Sequence, residues 1–304
     1  FRDVQLRTII VPNSVTSIGV GAFQGCPLES ITLPFVGGSR KTSSSVKSSD
    51  YSWNGGSEYI FGYIFGGATS YGTSSSTPSI PSGTIYQGQS SSRSGDHYYW
   101  TGYYIPSTLK TVTITDATGI STNAFYGCTM IESLTLNEGI TTIYDKAFYN
   151  CTALKSMVLP SSVTELGSYA FYGCSNMSSI TLSNLTKIND RTFFNCSALA
   201  EITLPETLAE IGDNAFFGCS SLKEIIIPNS VTSIGGYAFE NCKAIKSITL
   251  SSELDSIGTY AFSNCESLTA ITLPNKLSTI DSYAFNNCSA LTKIEVRNSV
   301  TTLG

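Results

Sequence analysis

The chain has 304 residues, of which 41% are hydrophobic and only 13% charged, and its 17 basic against 22 acidic residues leave a net charge of -5. That balance offers no electrostatic footprint for nucleic acid or an anionic membrane, and no run approaches the ~18 to 20 apolar residues of a membrane span, so neither nucleic-acid binding nor direct membrane insertion is expected. The single histidine, His97, excludes most metalloenzyme layouts and restricts acid/base chemistry to carboxylates, Tyr, Lys and that one imidazole.

From its start the chain repeats itself. Leu6 to Cys26 reads L-x-x-I-x-x-P-x-x-V-T-x-I-G-x-x-A-F-x-x-C, and the same pattern returns with the cysteines at Cys128, Cys151, Cys174, Cys196, Cys219, Cys242, Cys265 and Cys288, spaced by 22 or 23 residues. Eleven segments open with the leading apolar residue, from Leu6 and Leu28 through Leu109 to Leu291. The leading L-x-x-I-x-L ends in the period-2 alternation of a strand with one buried face, and a proline such as Pro12, Pro34 or Pro228 often follows, where no ladder donor is needed. One short strand cannot bury its face alone. Successive copies stacked at ~4.8 Å close a continuous core, which makes the chain a solenoid.

The isoleucine column (Ile18, Ile143, Ile188, Ile211) and the phenylalanine column (Phe23, Phe125, Phe148, Phe171, Phe193, Phe216) then point inward as an aliphatic stack beside an aromatic spine. Alanine precedes that phenylalanine in eight of nine units, with Thr192 the exception, which marks a tight site beside the ring.

After the second strand, Ile31-Thr32-Leu33-Pro34, the period breaks. The interval from Leu28 to Leu109 is 81 residues, so residues 35–108 replace the outer half of one coil and must leave and re-enter the solenoid at nearly the same place. The chain therefore divides into repeats over 1–34, a Ser/Gly/Tyr-rich insertion over 35–108, and repeats of the same solenoid over 109–304. Serine runs such as Ser43-Ser44-Ser45 read as linker, yet both tryptophans, Trp53 and Trp100, lie here with Tyr59, Tyr63, Tyr98, Tyr99 and Tyr103. Tyr59 to Phe65 is apolar enough to dock on the solenoid, and Tyr98 to Tyr104 is expected to form an anchored strand. The rings either cover the interrupted core or present a recognition surface of aromatic anchors on adaptable loops.

From Leu109 the repeats resume. Alternation sends the residues flanking each central apolar position outward, so Thr111/Thr113, Ser133/Thr135, Ser179/Thr181, Glu201/Thr203, Ser247/Thr249 and Ala270/Thr272 line the concave sheet as a ladder of hydroxyls. β-branched threonine on a pleated sheet is ordinary packing. The same ladder is also a face able to receive a protein or glycan with little charge steering.

The unit from Ile225 to Cys242 resembles the BspA-like bacterial leucine-rich repeats, and the resemblance covers residues 1–34 and 109–304. It implies a right-handed leucine-rich-repeat solenoid, with a parallel concave sheet of about eleven short strands, on a secreted or surface-anchored protein that acts as an adhesin or interaction module toward host or neighbouring cells. It brings no catalytic residues and no cofactor. The cysteines lack the close C-x-x-C spacing of metal ligands and are expected as buried thiols, with disulfides between stacked coils as the lesser alternative. Candidate contact residues are therefore Trp53, Tyr59, Tyr63, Tyr98, Tyr99, Trp100 and Tyr103 in the insertion, with Thr113, Thr135, Thr181, Thr203, Thr249 and Thr272 on the sheet. Two other classes stand beside this reading: a carbohydrate-binding or hydrolytic element in the insertion built on Trp53, Trp100 and Asp96, and a passive spacer. Neither end of the sequence reads as a cap, so further repeats are expected outside it.

Overall fold

The computed structural model describes residues 1–40, 60–67, 69–72, 82–94 and 97–304, which fall into two compact units, Phe1–Leu154 and Lys155–Gly304. Each is built from the same coil, stacked as a parallel-strand solenoid. In the first unit the strands are β1 (Thr8–Ile10), β2 (Ser30–Leu33), β3 (Thr69–Gly72), β4 (Thr84–Ser94), β5 (His97–Pro106), β6 (Thr111–Ile114), β7 (Gly119–Ile120), β8 (Ser133–Thr135) and β9 (Thr142–Ile143).

Strands β1, β2, β6 and β8 form one parallel sheet in that order. The register stacks Ile9 on Ile31, Ile31 on Val112 and Val112 on Leu134. In the second unit Ser156–Val158, Ser179–Thr181 and Glu201–Thr203 pair in parallel, as do Glu224–Ile226, Ser247–Thr249 and Ala270–Ile271. The central residue of these strands is inward (Ile180 4% exposed, Ile225 2%), because each strand hides one face only by lying on the next coil. Proline ends the strand by removing a donor, and its carbonyl closes the following turn. The Val163 and Val231 amides donate to Pro160 and Pro228 at 3.0 Å. The isoleucine column adds a second strand of two residues to most coils, as in Glu210–Ile211 on Ser233–Ile234.

The outer arc is a ladder between coils. Phe193, Phe216 and Phe239 each donate their amide to the residue preceding the next coil's phenylalanine, at 2.8 Å. The rings stack along the same line, with Phe193, Phe216, Phe239 and Phe262 5.1 to 5.4 Å apart and 7 to 15° from parallel. Two residues per coil are left-handed. The one before cysteine is always Gly or Asn, among them Gly173, Asn195, Gly218 and Asn241, the residue types that tolerate this conformation. The other, before the Ala-Phe or Thr-Phe pair, is often tyrosine (Tyr169, Tyr237, Tyr260, Tyr283), an uncommon residue for it. Its amide makes an intercoil bond, as from Tyr237 to Thr259 at 2.8 Å, which helps offset the strain.

The insertion closes this ladder where the repeat fails. Although 81 residues separate Leu28 from Leu109, β2 and β6 are immediate neighbours, with Ser30 opposite Thr111 and Leu33 opposite Ile114. A 3-10 helix, Phe61–Phe65, sits where the missing outer arc belongs. It accepts from the coil before, Phe23 amide to Ile64 carbonyl at 2.9 Å, and donates to the coil after, Phe61 amide to Ala124 carbonyl at 2.8 Å. Its two rings bridge the spine. Phe23 lies 6.4 Å from Phe65, Phe65 lies 5.3 Å from Phe61, and Phe61 lies 4.9 Å from Phe125. Gln87 on β4, 1% exposed, clamps the helix by accepting from the Gly62 amide at 2.5 Å and donating to the Ala124 carbonyl at 3.1 Å. Gly62 has no room for a side chain there, since a Cβ would lie 2.5 Å from that of Tyr103 and 2.7 Å from the Gln87 oxygen. Strands β3, β5 and β4 form an antiparallel sheet in that order.

Candidate functional site

The long-strand face is the surface that the repeat exposes most regularly. Thr135, Thr181, Thr203, Thr249 and Thr272 are exposed and Thr113 is half-buried. In the second unit the register sets Ser179 opposite Ser156 and Glu201, and Thr181 opposite Val158 and Thr203. The threonine column contains three apolar residues that the reading of hydroxyls passed over: Ile10 is 72%, Val158 70% and Ile226 69% exposed at equivalent positions. From Ile10 to Thr272 the column is thus β-branched, and the same alternation applied to those coils reveals it. In the first unit the Ser30 hydroxyl donates to that of Thr8 at 2.9 Å.

This face is not free of charge. In the first unit its flank alternates in sign, with Arg7 paired to Glu29 and Lys110 to Glu132. In the second, Glu201 and Glu224 hold the first strand positions, with Lys223 and Lys246 on the column beside them, all four exposed. Exposed pairs of this kind contribute at most about 1 kcal/mol, and mixed signs leave little long-range field.

The aromatic candidates separate by position. Trp53 and Tyr59 lie outside the described residues, as does Asp96. Tyr98, Tyr99 and Trp100 lie on β5, with Tyr99 between Tyr71 and Ser91, and Trp100 between Ser70 and Ser90. Tyr103 is a correction to the expected contact set. It is 4% exposed and packs with Ile60, and its ring meets that of the half-buried Tyr63 edge-on at 6.2 Å, so it fills the insertion's own core and offers no contact surface. A tyrosine two residues from a buried isoleucine on one strand, Ile105, is the sequence signal for that placement.

All nine cysteines are free and buried. Each thiol of Cys151, Cys196, Cys219, Cys242, Cys265 and Cys288 donates to the phenylalanine carbonyl of the preceding coil, from 3.1 to 3.4 Å. Burial pushes the Cys196 and Cys219 thiols well up from their ordinary value and Cys242 to about 12, so these sulfurs are structural donors and poor nucleophiles. Thr192 replaces alanine beside the spine at no exposure, its hydroxyl donating to the Asn189 carbonyl at 2.7 Å. Among the described residues no cluster of three or more His, Cys, Asp or Glu is placed to hold a metal, and no helix is long and apolar enough to cross a membrane.

A coil of this length, with strand, isoleucine strand and Phe/Cys arc, defines a leucine-rich-repeat protein. The BspA-type leucine-rich repeat model matches six copies over residues 1–79, 102–223 and 186–304, and the chain belongs to that family. A leucine-rich repeat protein from Bacteroides ovatus is 36% identical over 53% of this chain and 42% of its own length, with a TM-score of 0.51. A Treponema pallidum leucine-rich repeat protein is 29% identical over 60% of this chain and 77% of its own, at 0.47. A leucine-rich cell surface protein from Faecalibacterium prausnitzii is 24% identical over 64% of this chain and 74% of its own, at 0.35. The chain spans less than half of the Bacteroides protein. None of the curated proteins matches it.

Proposed function

We propose that this chain is a non-catalytic interaction module of a secreted or surface-anchored bacterial protein, which binds a protein or glycan on host or neighbouring cells through its long-strand face and the exposed part of its insertion. The observation that carries the reading is the column of exposed β-branched residues, in register over Val158, Thr181 and Thr203 and again over Ile226 and Thr249. Each residue is free of any role in the core, and side chains already stiff on a sheet lose little entropy on docking. Family membership and the bacterial surface protein among its neighbours support the same assignment.

The test is capture of cell-surface proteins and glycans by the immobilised whole chain, compared with a variant carrying Thr181→Arg, Thr203→Arg and Thr249→Arg. The expected result is loss of most binding at unchanged thermal unfolding. Because the charges on the face are mixed, added salt slows association only slightly. Binding untouched by the three arginines overturns the face as the contact surface, and turnover of any ligand that disappears in Asp96→Asn overturns the non-catalytic reading.

A further inference from the structure

The outer arc of the second unit carries a feature that neither the repeat nor the reading above requires. Tyr237, Tyr260 and Tyr283 occupy one column on successive coils, stacked at 5.1 and 4.8 Å between ring centroids and within 13 to 14° of parallel. Tyr237 is 38% and Tyr283 59% exposed, and all three stand on left-handed backbone. On the earlier coils this column holds Tyr169, Arg191 and Asn214, where the Tyr169 hydroxyl accepts from the Arg191 guanidinium at 2.8 Å. The three later hydroxyls have no hydrogen-bond partner among the described residues. Glu240, on the coil of Tyr237, has no cation within ion-pair distance among them either. Burial raises its carboxyl, and burial first, then Tyr283, Tyr237 and Glu240, raise the Tyr260 phenol, which stays a proton donor at neutral pH.

The chemistry of this row selects its ligand. Stacking consumes the faces between neighbouring rings, both faces of Tyr260 among them, which are the electron-rich surfaces a cation seeks, and along the row it leaves the electropositive edges and the hydroxyls outward. Glu240 disfavours an anion. An apolar peptide laid on the row would bury three hydroxyls unpaired, each at a cost of about 1 to 3 kcal/mol. What fits is a neutral chain dense in hydroxyl groups: each phenol both donates and accepts, and a carboxylate accepts two hydroxyls at once. The rung spacing of 4.8 to 5.1 Å is close to the advance of one sugar ring along an extended chain.

We propose that Tyr237, Tyr260 and Tyr283, together with Glu240, form a binding site for an extended neutral polysaccharide, one sugar per rung. The site lies on a different surface from the long-strand face and stands or falls without it.

The experiment is affinity electrophoresis of the whole chain through gels containing soluble neutral polysaccharides (hydroxyethyl cellulose, mixed-linkage β-glucan, galactomannan), with alginate as the polyanionic comparator. The triple variant Tyr237→Phe, Tyr260→Phe, Tyr283→Phe keeps the ring stack and removes only the hydroxyls, and circular dichroism confirms its fold. Retardation by at least one neutral polysaccharide is expected, weakened about tenfold in the triple variant, which corresponds to about 1.4 kcal/mol, and weakened also by Glu240→Gln. The Thr181→Arg, Thr203→Arg, Thr249→Arg variant is expected to be retarded like the parent. No retardation by any neutral polysaccharide, retardation by alginate alone, or equal retardation of the triple variant overturns the proposal.

Discussion

Replacing Phe61 by alanine tests whether the insertion is part of the solenoid's core or a loop laid on it. The ring is fully buried, 4.9 Å from Phe125 and 5.3 Å from Phe65, and it spans the position where the repeat's own phenylalanine is missing. Its transfer from water is worth up to about 3 kcal/mol. The cavity left between two coils that cannot collapse onto each other brings the expected cost to about 4 kcal/mol, within the usual range for buried Phe→Ala. With a urea slope of about 2 kcal/mol per molar, the unfolding midpoint of the first unit falls by about 2 M. In a repeat protein such damage acts on neighbouring coils, so the Phe23 amide, which donates to Ile64, should lose hydrogen-exchange protection as well. Urea unfolding by fluorescence and hydrogen exchange at Phe23 are the measurements, with Phe216→Ala as the spine control of similar cost. A loss below about 1 kcal/mol with unchanged exchange at Phe23 refutes the reasoning, since that is the response of a surface loop. For the same reason, deleting residues 35–108 uncovers Phe23 and Phe125, and a binding defect in that deletion does not locate a ligand.

The buried thiols set a pH limit. Cys242 must stay neutral in the fold, and its value is raised from an ordinary 9.0 to about 12, so its contribution is complete below pH 9 and is lost as pH climbs toward 12; urea midpoints measured across that range should fall, while a disulfide reagent at pH 8 should label the native protein only after denaturation. Asn264, at φ 58°, should lose about 1 kcal/mol on substitution by alanine and almost nothing by glycine, as read by thermal unfolding. Thr192→Val keeps the volume beside the spine and removes the hydroxyl bond to Asn189, for a loss of about 1 kcal/mol in the same assay.

The periodic part of this molecule was legible in the chain. The 22- or 23-residue spacing of the cysteines names the coil, alternation names the buried isoleucine of each strand, and the restriction to Gly or Asn before every cysteine marks a left-handed turn. These follow because each coil sees the same neighbours as the last, so one local rule applied many times becomes a global one. The candidate face was legible in the same way, including Val158 and Ile226 once the rule is applied to every coil. Its charged positions, Glu201 and Glu224, show how a single column can carry more than one chemistry.

What the chain alone does not reveal is how the break in the pattern is closed. That Phe61 and Phe65 jointly stand in for one spine phenylalanine, that Gln87 reaches across to the Ala124 carbonyl, and that Tyr103 faces inward all depend on contacts between unlike segments. Gln87 and Ala124 are separated by 37 residues and by no period. Tertiary structure decided these, because closing a gap in a stack requires only that the right volume and hydrogen bonds arrive at the right place, and many sequences satisfy that demand.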